Sequence, residues 1–386
     1  MNRLRIHDKM IGLGLATAAS FLMLAGAAGT ASAYDGVLEI NGSCAVNSGC
    51  FPGDGPGYPV TITSSAGSQS FRLTSDLIVP NTSTDGIVVE INDASVDLGG
   101  FSILGTTCVG STTDCTPGSS STGDGIDVAG IIFGLSVSNG QIAGMGRHGV
   151  NAGTQARIEN LTSRWNASFG MSSGPGALVT DSTFYQNGGT GVVLGSNSAV
   201  HRSVSVGNGN GGLSATVGST MLGNTVRDNA GIGINVSSYS TVQNNTVTSS
   251  GDGGSGDDGI NAGNGSNVSD NTVQGSSAIG IDCNNACTVE RNAVYNNLSD
   301  GIQCGSGCTI HDNTSYDNGD AAGDDGIQCS SGCNVIGNTL RQNTGEGLNL
   351  SFGTGYGENV MSNNAGGDVS GGTNLGGNLC SGAICP

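Results

Sequence analysis

The sequence predicts an all-β solenoid, built from stacked coils of about 21 residues each. Three regularities support this fold class: a glycine followed by an apolar residue recurs along the chain, seven of the ten intervals between these glycines are 21 residues, and asparagine recurs at a fixed position of the unit. Self-similarity with a period of about 20 to 50 residues is typical of repeat architectures. The repeats start at Gly125, Gly149, Gly170, Gly191, Gly212, Gly233, Gly259, Gly280, Gly301, Gly326 and Gly347, after a less regular unit at Gly86.

Each repeat carries the apolar residues of three very short strands. With the opening glycine as position zero, position 1 is apolar in all ten units from Gly149 onward, and position 9 is apolar in nine of them, with Tyr356 in the tenth. Turns rich in Gly and Asn separate the strands. One unit has too little apolar surface to fold, but units stacked about 4.8 Å apart bury a continuous column of Ile and Val.

Asparagine occupies position 12 of seven consecutive units. These residues are Asn224, Asn245, Asn271, Asn292, Asn313, Asn338 and Asn359. Asparagine tolerates the left-handed backbone of a sharp turn, and stacked Asn amides can hydrogen-bond from one coil to the next. We therefore expect a ladder of asparagines at a left-handed turn.

Coils such as "GINAGNGSNVSDNTVQGSS" at residue 259 resemble the right-handed parallel β-helix proteins of the pectate-lyase-like class. The resemblance covers roughly residues 86 to 365 and implies a single-stranded right-handed parallel β-helix of about 12 coils. Such folds host lyases, hydrolases, epimerases and adhesins, so the resemblance is specific for fold and poor for activity.

The first residues are typical of an export signal. A basic start precedes an apolar run from Ile11 to about Gly29, and the small-residue ending "TASA" precedes Tyr34. No later apolar stretch approaches the roughly 20 residues that span a bilayer. We expect a secreted or periplasmic protein without a transmembrane segment in its mature chain. The expected parts are a signal peptide at 1–33, an N-terminal cap and entry to the helix at 34–85, the β-helix at 86–370, and a disulfide-closed tail at 371–386.

The charge balance excludes one class of partner. Without the signal, the chain has 8 arginines, no lysine and 29 acidic residues. Such a surface repels a phosphate polymer or an anionic membrane unless a cation such as calcium bridges the two. Nucleic acid is therefore not an expected partner.

Twelve cysteines fall into six pairs of near neighbours in the sequence. An even number, an export signal and local spacing favour disulfides over zinc, which would need four reduced thiolates in an oxidising compartment. Equivalent cysteines of adjacent coils, such as Cys283 and Cys304, would also lie within disulfide range. Bonds within each turn are favoured, because three pairs have no cysteine stacked on them. The expected bonds join Cys44 to Cys50, Cys108 to Cys115, Cys283 to Cys287, Cys304 to Cys308, Cys329 to Cys333, and Cys380 to Cys385.

By the family resemblance, ligands bind in a groove over one outward strand face. The outward position 2 carries a polar column, and three aspartates directly precede the opening glycines of their coils. The column is Asn235, Asn261, Asp282, Gln303, Gln328 and Asn349, and the three aspartates are Asp258, Asp300 and Asp325.

Carboxylates in consecutive coils can share a calcium ion or form an acid/base pair. We expect catalytic roles for Asp282, Asp300 and Asp325, and calcium ligation by the three aspartates that precede the glycines. The amides of Asn261, Gln303 and Gln328 are the expected substrate contacts. The competing interpretation of each Asp-Gly pair is a tight turn.

A second candidate group lies on the second strand of the coils. Glu290, Arg291 and His311, beside Asp270 and Asp312, combine the carboxylate, arginine and histidine that a polysaccharide lyase uses to abstract and stabilise charge. Stacked charges of alternating sign also form salt-bridge ladders that stabilise a sheet.

The third strand offers Tyr295 and Tyr316, stacked outward and followed by Arg341. Aromatic faces suit sugar rings, although an outward aromatic pair also stabilises a sheet. The single tryptophan, Trp165, is expected to be a local packing residue.

Known activity signatures are incomplete in this chain. "GDDGI" at 256 and 323 and "RHG" at 147 partly resemble polygalacturonase signatures, but the companion Asn-Thr-Asp is missing, and without a mature lysine the Arg-Ile-Lys clamp is impossible. The alginate-epimerase Asp-Pro-His-Glu and the pectate-lyase Arg-x-Pro-x-x-Arg patterns are absent.

The sequence thus predicts an exported protein that binds an extracellular polysaccharide, with calcium as candidate cofactor and lyase or hydrolase activity as candidate chemistry. The alternative is a non-enzymatic scaffold or surface-contact protein. A glycan-active protein should bring acidic and aromatic side chains together in one cleft, whereas a scaffold should scatter them along the rod.

Overall fold

The computed structural model describes residues 36–106, 121–251 and 256–385. These residues form a parallel β-helix in which successive coils stack strand on strand in three columns, here called the first, second and third sheets. The expected signal peptide at 1–33 lies outside the described residues. Among the helices that are described, none has the length and apolar character needed to cross a bilayer.

The first sheet contains fourteen strands within the described residues, so the expected count of about 12 coils was too low. The extra strands come from the two ends, where Val60–Ile62 pairs with Ile87–Val89 and Gly367–Gly376 pairs with Glu346–Gly357. The strands are Val60–Ile62, Ile87–Val89, Ile126–Val128, Val150–Ala152, Met171–Ser173, Val192–Leu194, Leu213–Ala215, Ile234–Val236, Ile260–Ala262, Ile281–Cys283, Ile302–Cys304, Ile327–Cys329, Glu346–Gly357 and Gly367–Gly376.

The second and third sheets follow the same order. Ser136–Ala143 and Arg157–Arg164 run through both sheets, and Glu346–Gly357 and Gly367–Gly376 continue from the first sheet into the second. The other strands of the second sheet are Val37–Ile40, Ser70–Leu73, Ser95–Asp97, Leu178–Thr180, Ala199–His201, Thr220–Leu222, Thr241–Gln243, Asn267–Ser269, Thr288–Glu290, Thr309–His311 and Asn334–Ile336. The other strands of the third sheet are Leu77–Ile78, Ser102–Leu104, Thr183–Tyr185, Val204–Val206, Thr225–Arg227, Thr246–Thr248, Thr272–Gln274, Ala293–Tyr295, Thr314–Tyr316, Thr339–Arg341, Val360–Ser362 and Leu379–Cys380.

Equivalent positions of the repeat pair in register. Ile281 pairs with Ile302, and both side chains are fully buried. The glycine that opens each unit is required by close packing between coils: a Cβ at Gly280 would lie 2.6 Å from the carbonyl oxygen of Gly301 and 2.7 Å from Asn297 Nδ2. The glycine period therefore records the sites where adjacent coils approach most closely.

The asparagine ladder is confirmed, but its backbone assignment was wrong. Asn292 donates from its backbone N and from Nδ2 to Oδ1 of Asn313, at 2.9 and 3.0 Å, and Asn313 donates in the same way to Asn338. The left-handed residue is the one before each asparagine, such as Arg291 with φ of 53° and Asp312 with φ of 58°. The bend at this exposed residue turns the following asparagine inward, where its amide satisfies buried backbone groups.

Both ends carry short additional elements. Near the N-terminus lie the helix Gly42–Asn47, capped by Asn41, and the 3₁₀ turn Ser64–Ala66. At the other end, Ala383–Ile384 pairs antiparallel with Leu379–Cys380. Residues 36–85 contribute strands to all three sheets.

Within the described residues, the turn disulfides are confirmed for four pairs and wrong for one. The bonds are Cys44–Cys50, Cys283–Cys287, Cys329–Cys333 and Cys380–Cys385. Cys304 and Cys308 are free and buried. The Cys308 thiol is instead held by hydrogen bonds to the neighbouring coil, since it donates to the Asn284 carbonyl at 3.1 Å and accepts from Cys287 N at 3.3 Å.

The sixth expected disulfide falls in a part of the chain that the structure does not describe. Both Cys108 and Cys115 lie outside the described residues, between 106 and 121. The bond from Cys108 to Cys115 is therefore neither confirmed nor contradicted, and it stays a prediction from the sequence.

Candidate functional site

Four aspartates gather along one edge of the first sheet and are called here the acidic edge. Asp258, Asp300 and Asp325 each precede the glycine that leads into a strand of this sheet, and Asp282 lies within the strand Ile281–Cys283. The relative exposures of the first three are 3%, 5% and 0%. The predicted first-sheet site thus consists of carboxyl groups that are largely removed from water.

Hydrogen bonds tie Asp258 and Asp282 to neighbouring coils. Asp258 Oδ1 accepts from Ile279 N at 3.2 Å, and its Oδ2 accepts from Asn261 Nδ2 at 3.0 Å. The same Asn261 amide donates to Asp282 Oδ2 at 3.3 Å. Asn261, predicted as a substrate contact, therefore bridges two carboxyl groups of the acidic edge.

The second half of the edge repeats this arrangement. Asp300 Oδ1 accepts from Asp325 N at 2.5 Å. Asp325 Oδ1 accepts from Glu346 N at 2.8 Å, and its Oδ2 accepts from Asn349 Nδ2 at 2.7 Å. The hydrogen bonds from backbone N–H groups explain part of the structural role of these aspartates, in agreement with the tight-turn interpretation. They do not remove the electrostatic cost of burying a carboxylate.

Burial dominates the ionisation of the acidic edge. Together with the neighbouring carboxylates, it raises the pKa of Asp258 and Asp300 to about 6 and that of Asp325 to about 7. Burial also raises the pKa of Asp282. None of the arginine or histidine ion pairs found among the described residues involves these four groups. Near neutral pH, the edge can therefore both donate and accept protons.

An amide column continues on the outward face of the first sheet. Gln303 Nε2 donates to Gln328 Oε1 at 2.8 Å, and the two residues are paired in adjacent strands. In the part of the chain that the structure describes, no group of three or more His, Cys, Asp or Glu side chains is arranged to hold a metal ion. Calcium ligation by Asp258, Asp300 and Asp325 stays a prediction.

The second-sheet group forms an ion-pair ladder. Arg291 bonds to Asp270 at 2.8 Å and to Glu290 at 2.7 Å, and His311 Nε2 lies 3.0 Å from the same Glu290. His311 Nδ1 also lies 3.0 Å from Asp312. Among the described residues, no hydrogen bond or ion pair joins this ladder to the acidic edge, so the catalytic residues predicted from sequence occupy two separate faces.

The tyrosines occupy a third face. Tyr295 and Tyr316 pair in adjacent strands of the third sheet, and the Arg341 guanidinium lies 4.9 Å from the Tyr316 ring centre. The predicted acidic and aromatic residues therefore do not meet in one cleft.

Sequence reasoning missed a further charged group, called here the early cluster: Asp85, Asp124, Asp127, Arg147 and His148. Asp124 is fully buried and receives hydrogen bonds from the Arg147 guanidinium, with Nε 2.9 Å from Oδ1 and a second bond to Oδ2, and from His148 N at 2.8 Å. Arg147 also lies 3.6 Å from Asp127 Oδ1. Burial raises the pKa of Asp85 and Asp127.

His148 of the early cluster is held in one orientation. Its ring stacks on Phe169, with centres 4.9 Å apart, and Nδ1 accepts from Phe169 N at 3.2 Å. Burial lowers the pKa of His148, so the neutral ring carries its proton on Nε2. Asp127 accepts from Asn151 Nδ2 at 2.8 Å.

The repeat register contained the signal for this cluster. Asp85, Asp124 and His148 each precede an opening glycine, as the aspartates of the acidic edge do, and Asp127 and Asn151 stand at position 2. The polar column predicted from Asn235 onward therefore has counterparts at the same positions of the first coils.

Comparison with known proteins agrees with this architecture. The family model for the right-handed β-helix region matches residues 123–273. Together with the parallel register of the coils, this match confirms the predicted right-handed parallel β-helix fold, and the matched residues resemble the β-helix region of that family. No curated protein matches the chain in sequence.

Several solved structures are similar at low identity. The Agl-KA catalytic domain is 14% identical with a TM-score of 0.48, and the alignment covers 80% of this chain and 62% of that one, so the chain spans less than two thirds of that structure. The A-module of the Azotobacter vinelandii mannuronan C-5 epimerase AlgE6 is 10% identical with a TM-score of 0.33 and coverages of 89% and 88%. The tailspike receptor-binding domain of siphovirus 9NA is 10% identical with a TM-score of 0.42 and coverages of 80% and 72%. None of these likenesses carries a function to this chain.

Proposed function

We propose that this protein is exported, binds an extended extracellular polysaccharide along the outward face of the first sheet, and hydrolyses it at the acidic edge. One observation carries the proposal: Asp300 and Asp325 are buried in consecutive coils, and burial raises their pKa to about 6 and about 7 without a neighbouring cation among the described residues. The four disulfides support a location in an oxidising compartment.

The two carboxyl groups would divide the acid and base roles. Asp325, with the higher pKa, would protonate the glycosidic oxygen as its bond to the sugar breaks, and the Asp300 carboxylate would take the proton of the attacking water. The amides of Gln303 and Gln328 would bind sugar hydroxyls beside them. After the product leaves, the proton lost by Asp325 is replaced from solvent, and the proton gained by Asp300 is released to solvent.

Hydrolysis of a neutral glycan fits this edge better than a lyase reaction. Elimination on a uronate requires a cation to stabilise the charge that develops at the sugar carboxylate. Among the described ion pairs, none brings an arginine or histidine to the acidic edge. A bound calcium ion would supply that charge, so calcium dependence separates the two reactions.

The test is a panel of neutral and acidic polysaccharides, each incubated with the protein with and without calcium. New reducing ends without ultraviolet-absorbing products are expected from a neutral glycan, and Asp300→Asn and Asp325→Asn should each lower the rate by about 100-fold or more. Asp312→Asn, an exposed aspartate on the second sheet, is the control and should keep the wild-type rate. Unsaturated products that require calcium would replace the hydrolase by a lyase.

The second candidate is a non-enzymatic scaffold or surface-contact protein. It is favoured by the separation of the acidic edge, the ion-pair ladder and the tyrosines onto three different sheets. If the panel shows neither binding nor cleavage of any glycan, the scaffold replaces the hydrolase.

A further inference from the structure

The outer face of the third sheet differs in charge from the rest of this acidic protein. The outward residues at the two ends of its three-residue strand segments include no aspartate or glutamate in the described coils, although the chain has 30 acidic residues. The last outward positions contain three arginines and three tyrosines: Arg164, Tyr185, Arg227, Tyr295, Tyr316 and Arg341. Here this set is called the third-sheet column.

Arg164 and Arg341, near the two ends of this column, lack a carboxylate partner among the described residues. Most arginines of the described chain are paired, for example Arg202 with Asp181 at 2.7 Å and Arg227 with Asp228 at 3.0 Å. In the part of the chain that the structure describes, no Asp or Glu oxygen lies within 4.0 Å of the guanidinium of Arg164 or Arg341. Arg227 is neutralised by its neighbour, so the uncompensated positive charge lies near the ends of the column.

Both unpaired arginines of the column lie against aromatic rings. The Arg164 guanidinium stands 4.0 Å from the Trp165 ring centre, and Trp165 meets Tyr185 edge to face with ring centres 6.3 Å apart. Arg341 lies 4.9 Å from the Tyr316 ring centre. Trp165 itself is 3% exposed, and its Nε1 donates to Gln186 at 2.9 Å. The Trp165 ring therefore packs against the guanidinium on its buried side, and Tyr185 is the partly exposed ring.

Arg164 is held in place by packing. Its Nε is buried without a hydrogen-bond partner, and burial lowers the pKa of the guanidinium. A cation that is partly desolvated and has no counter-charge is costly, and an arriving oxyanion would remove much of that cost. This arginine is therefore pre-positioned for an anionic ligand.

The spacing of the two arginines suits an extended ligand. They are separated by eight coil intervals, which corresponds to about 38 Å at the strand spacing of a β-sheet. Three arginines over this length are too few for a nucleic acid, which carries a charge about every 1.7 Å in a duplex. A sugar polymer with one carboxylate or sulfate on a ring, and apolar ring faces for the tyrosines, matches both the charge and the aromatic content.

We propose that the third-sheet column binds an anionic glycan, whose carboxylate or sulfate groups are held by Arg164 at one end and Arg341 at the other while sugar rings lie on Tyr185, Tyr295 and Tyr316. This surface is separate from the acidic edge and needs no cleavage there. At physiological salt the Debye length is about 8 Å, so the local arginines are screened from most of the acidic surface.

Trp165 provides the readout, because it is the single tryptophan and lies under the Arg164 guanidinium. The full-length protein is titrated with a galacturonate oligomer, a sulfated oligosaccharide, a neutral oligosaccharide and inorganic sulfate, and tryptophan emission is followed. A saturable change is expected with one or both anionic oligosaccharides, and which of them binds identifies the anion. An equal response to the neutral oligosaccharide, or to inorganic sulfate alone, would overturn the proposal.

Variants separate binding from folding. Arg164→Gln should weaken binding of the anionic oligomer by about tenfold, the loss expected for one charge-assisted contact, and Arg164→Lys should restore part of it. Arg341→Gln should weaken a long oligomer but leave a disaccharide unaffected. Arg202→Gln, in an exposed pair with Asp181, is the matched control and should bind as the wild type does.

Two results would overturn the proposal. One is unchanged affinity in Arg164→Gln while its circular dichroism stays native. The other is equal competition by single-stranded DNA, which would indicate a general polyanion surface. Since cleavage at the acidic edge is measured separately, failure here leaves the proposed hydrolase untouched, and failure of the hydrolase leaves this binding test intact.

Discussion

The backbone N–H of Asp325 donates a 2.5 Å hydrogen bond to Oδ1 of Asp300 in the preceding coil. This bond favours the ionised form of Asp300, but burial outweighs it, and the pKa of Asp300 is raised to about 6. The pKa of Asp325 is raised to about 7 by the same cause. Two adjacent coils are thus joined through groups that change charge within the physiological pH range.

The stability of the protein should therefore rise as the pH falls from about 7 to about 5. The folded-state pKa values of both groups lie above those of the unfolded chain, so the folded state binds more protons in this window and loses stability as the pH increases through it. Urea unfolding of the wild type and of the Asp300→Asn/Asp325→Asn variant checks this, and the variant should show a flatter pH dependence.

The control for this prediction is Asp270→Asn. The hydrogen bond from Arg291 lowers the pKa of Asp270, so the stability contributed by this partly exposed carboxylate is constant above about pH 4 and is lost only as the pH falls further, which is the opposite sign. A double aspartate variant that keeps the full wild-type pH slope between about pH 5 and 7 would show that other groups cause it.

The fold could be predicted closely from the sequence because the determinants repeat. Each regular coil repeats the same opening glycine and the same inward apolar positions, so the pattern stays recognisable even where one unit departs from it. The two ends lack this redundancy: Val60–Ile62 and Gly367–Gly376 extend the first sheet without the regular spacing, which is why the coil count was too low.

The candidate site was harder to predict, because its properties depend on burial. Residue types place Asp300 and Asp325 beside each other, but only the structure shows that their carboxyl groups are removed from water and, among the described residues, lack a cation. The same holds for Arg164, because only the structure shows that no carboxylate oxygen of the described residues lies near its guanidinium. The free thiols of Cys304 and Cys308 likewise break a pattern that their neighbours obey.

Replacement of Asn313 tests the asparagine ladder. Asn313→Ala leaves the backbone N of Asn292 without its acceptor and removes the bonds from Asn313 Nδ2 to Asn338 Oδ1 and to the Val289 carbonyl, so the free energy of unfolding should fall by about 3 kcal/mol. Asn313→Ser should have a smaller effect, since Ser182 accepts from Leu161 N at 3.1 Å at the same position of an earlier coil. Urea unfolding measures both variants.

Asn284→Ala is the control for the ladder, because Asn284 is exposed and makes no side-chain hydrogen bond within the described residues. It should change the free energy of unfolding little. Equal losses in Asn284→Ala and Asn313→Ala would contradict the special role of the buried amides.

Cysteine labelling tests the unequal pairing of the turns. Alkylation in denaturant without reduction should modify Cys304 and Cys308, and the peptides of Cys283, Cys287, Cys329 and Cys333 should stay cross-linked. In the folded protein both thiols are buried, with exposures of 2% and 1%, so labelling should be slow. The hydrogen bond from the Cys304 thiol lowers the pKa of Cys308 to about 7, so Cys308 should react first.

Mass mapping without reduction identifies the alternatives. A Cys304–Cys308 bond would restore the pairing expected from the sequence, and a Cys283–Cys304 bond would replace it by a link between coils. Either product, found in place of the labelled peptides, would contradict the two free thiols. The same map checks the expected bond between Cys108 and Cys115, whose peptides should stay cross-linked until a reductant is added.

The early cluster contains an Arg–Asp ion pair with a buried carboxylate, which can be compared with an exposed Arg–Asp pair elsewhere in the chain. Arg147 binds the fully buried Asp124, whereas Arg202 binds Asp181 in a pair that is exposed on both sides. Asp124 is buried but the Arg147 side chain is 37% exposed, so water partly solvates the guanidinium that is left unpaired, and Asp124→Asn should lower the free energy of unfolding by about 2–3 kcal/mol. Asp181→Asn should have little effect, because water already solvates both groups.

Protease cleavage near residues 121–151 should increase in Asp124→Asn before the rest of the rod unfolds, since each coil of a solenoid contacts only its neighbours. Urea unfolding and limited proteolysis of the two variants supply the comparison. If Asp124→Asn is as stable as Asp181→Asn, then Asp127, 3.6 Å from the same guanidinium, compensates for the lost charge. Asp127→Asn in the Asp124→Asn background would then produce the full loss.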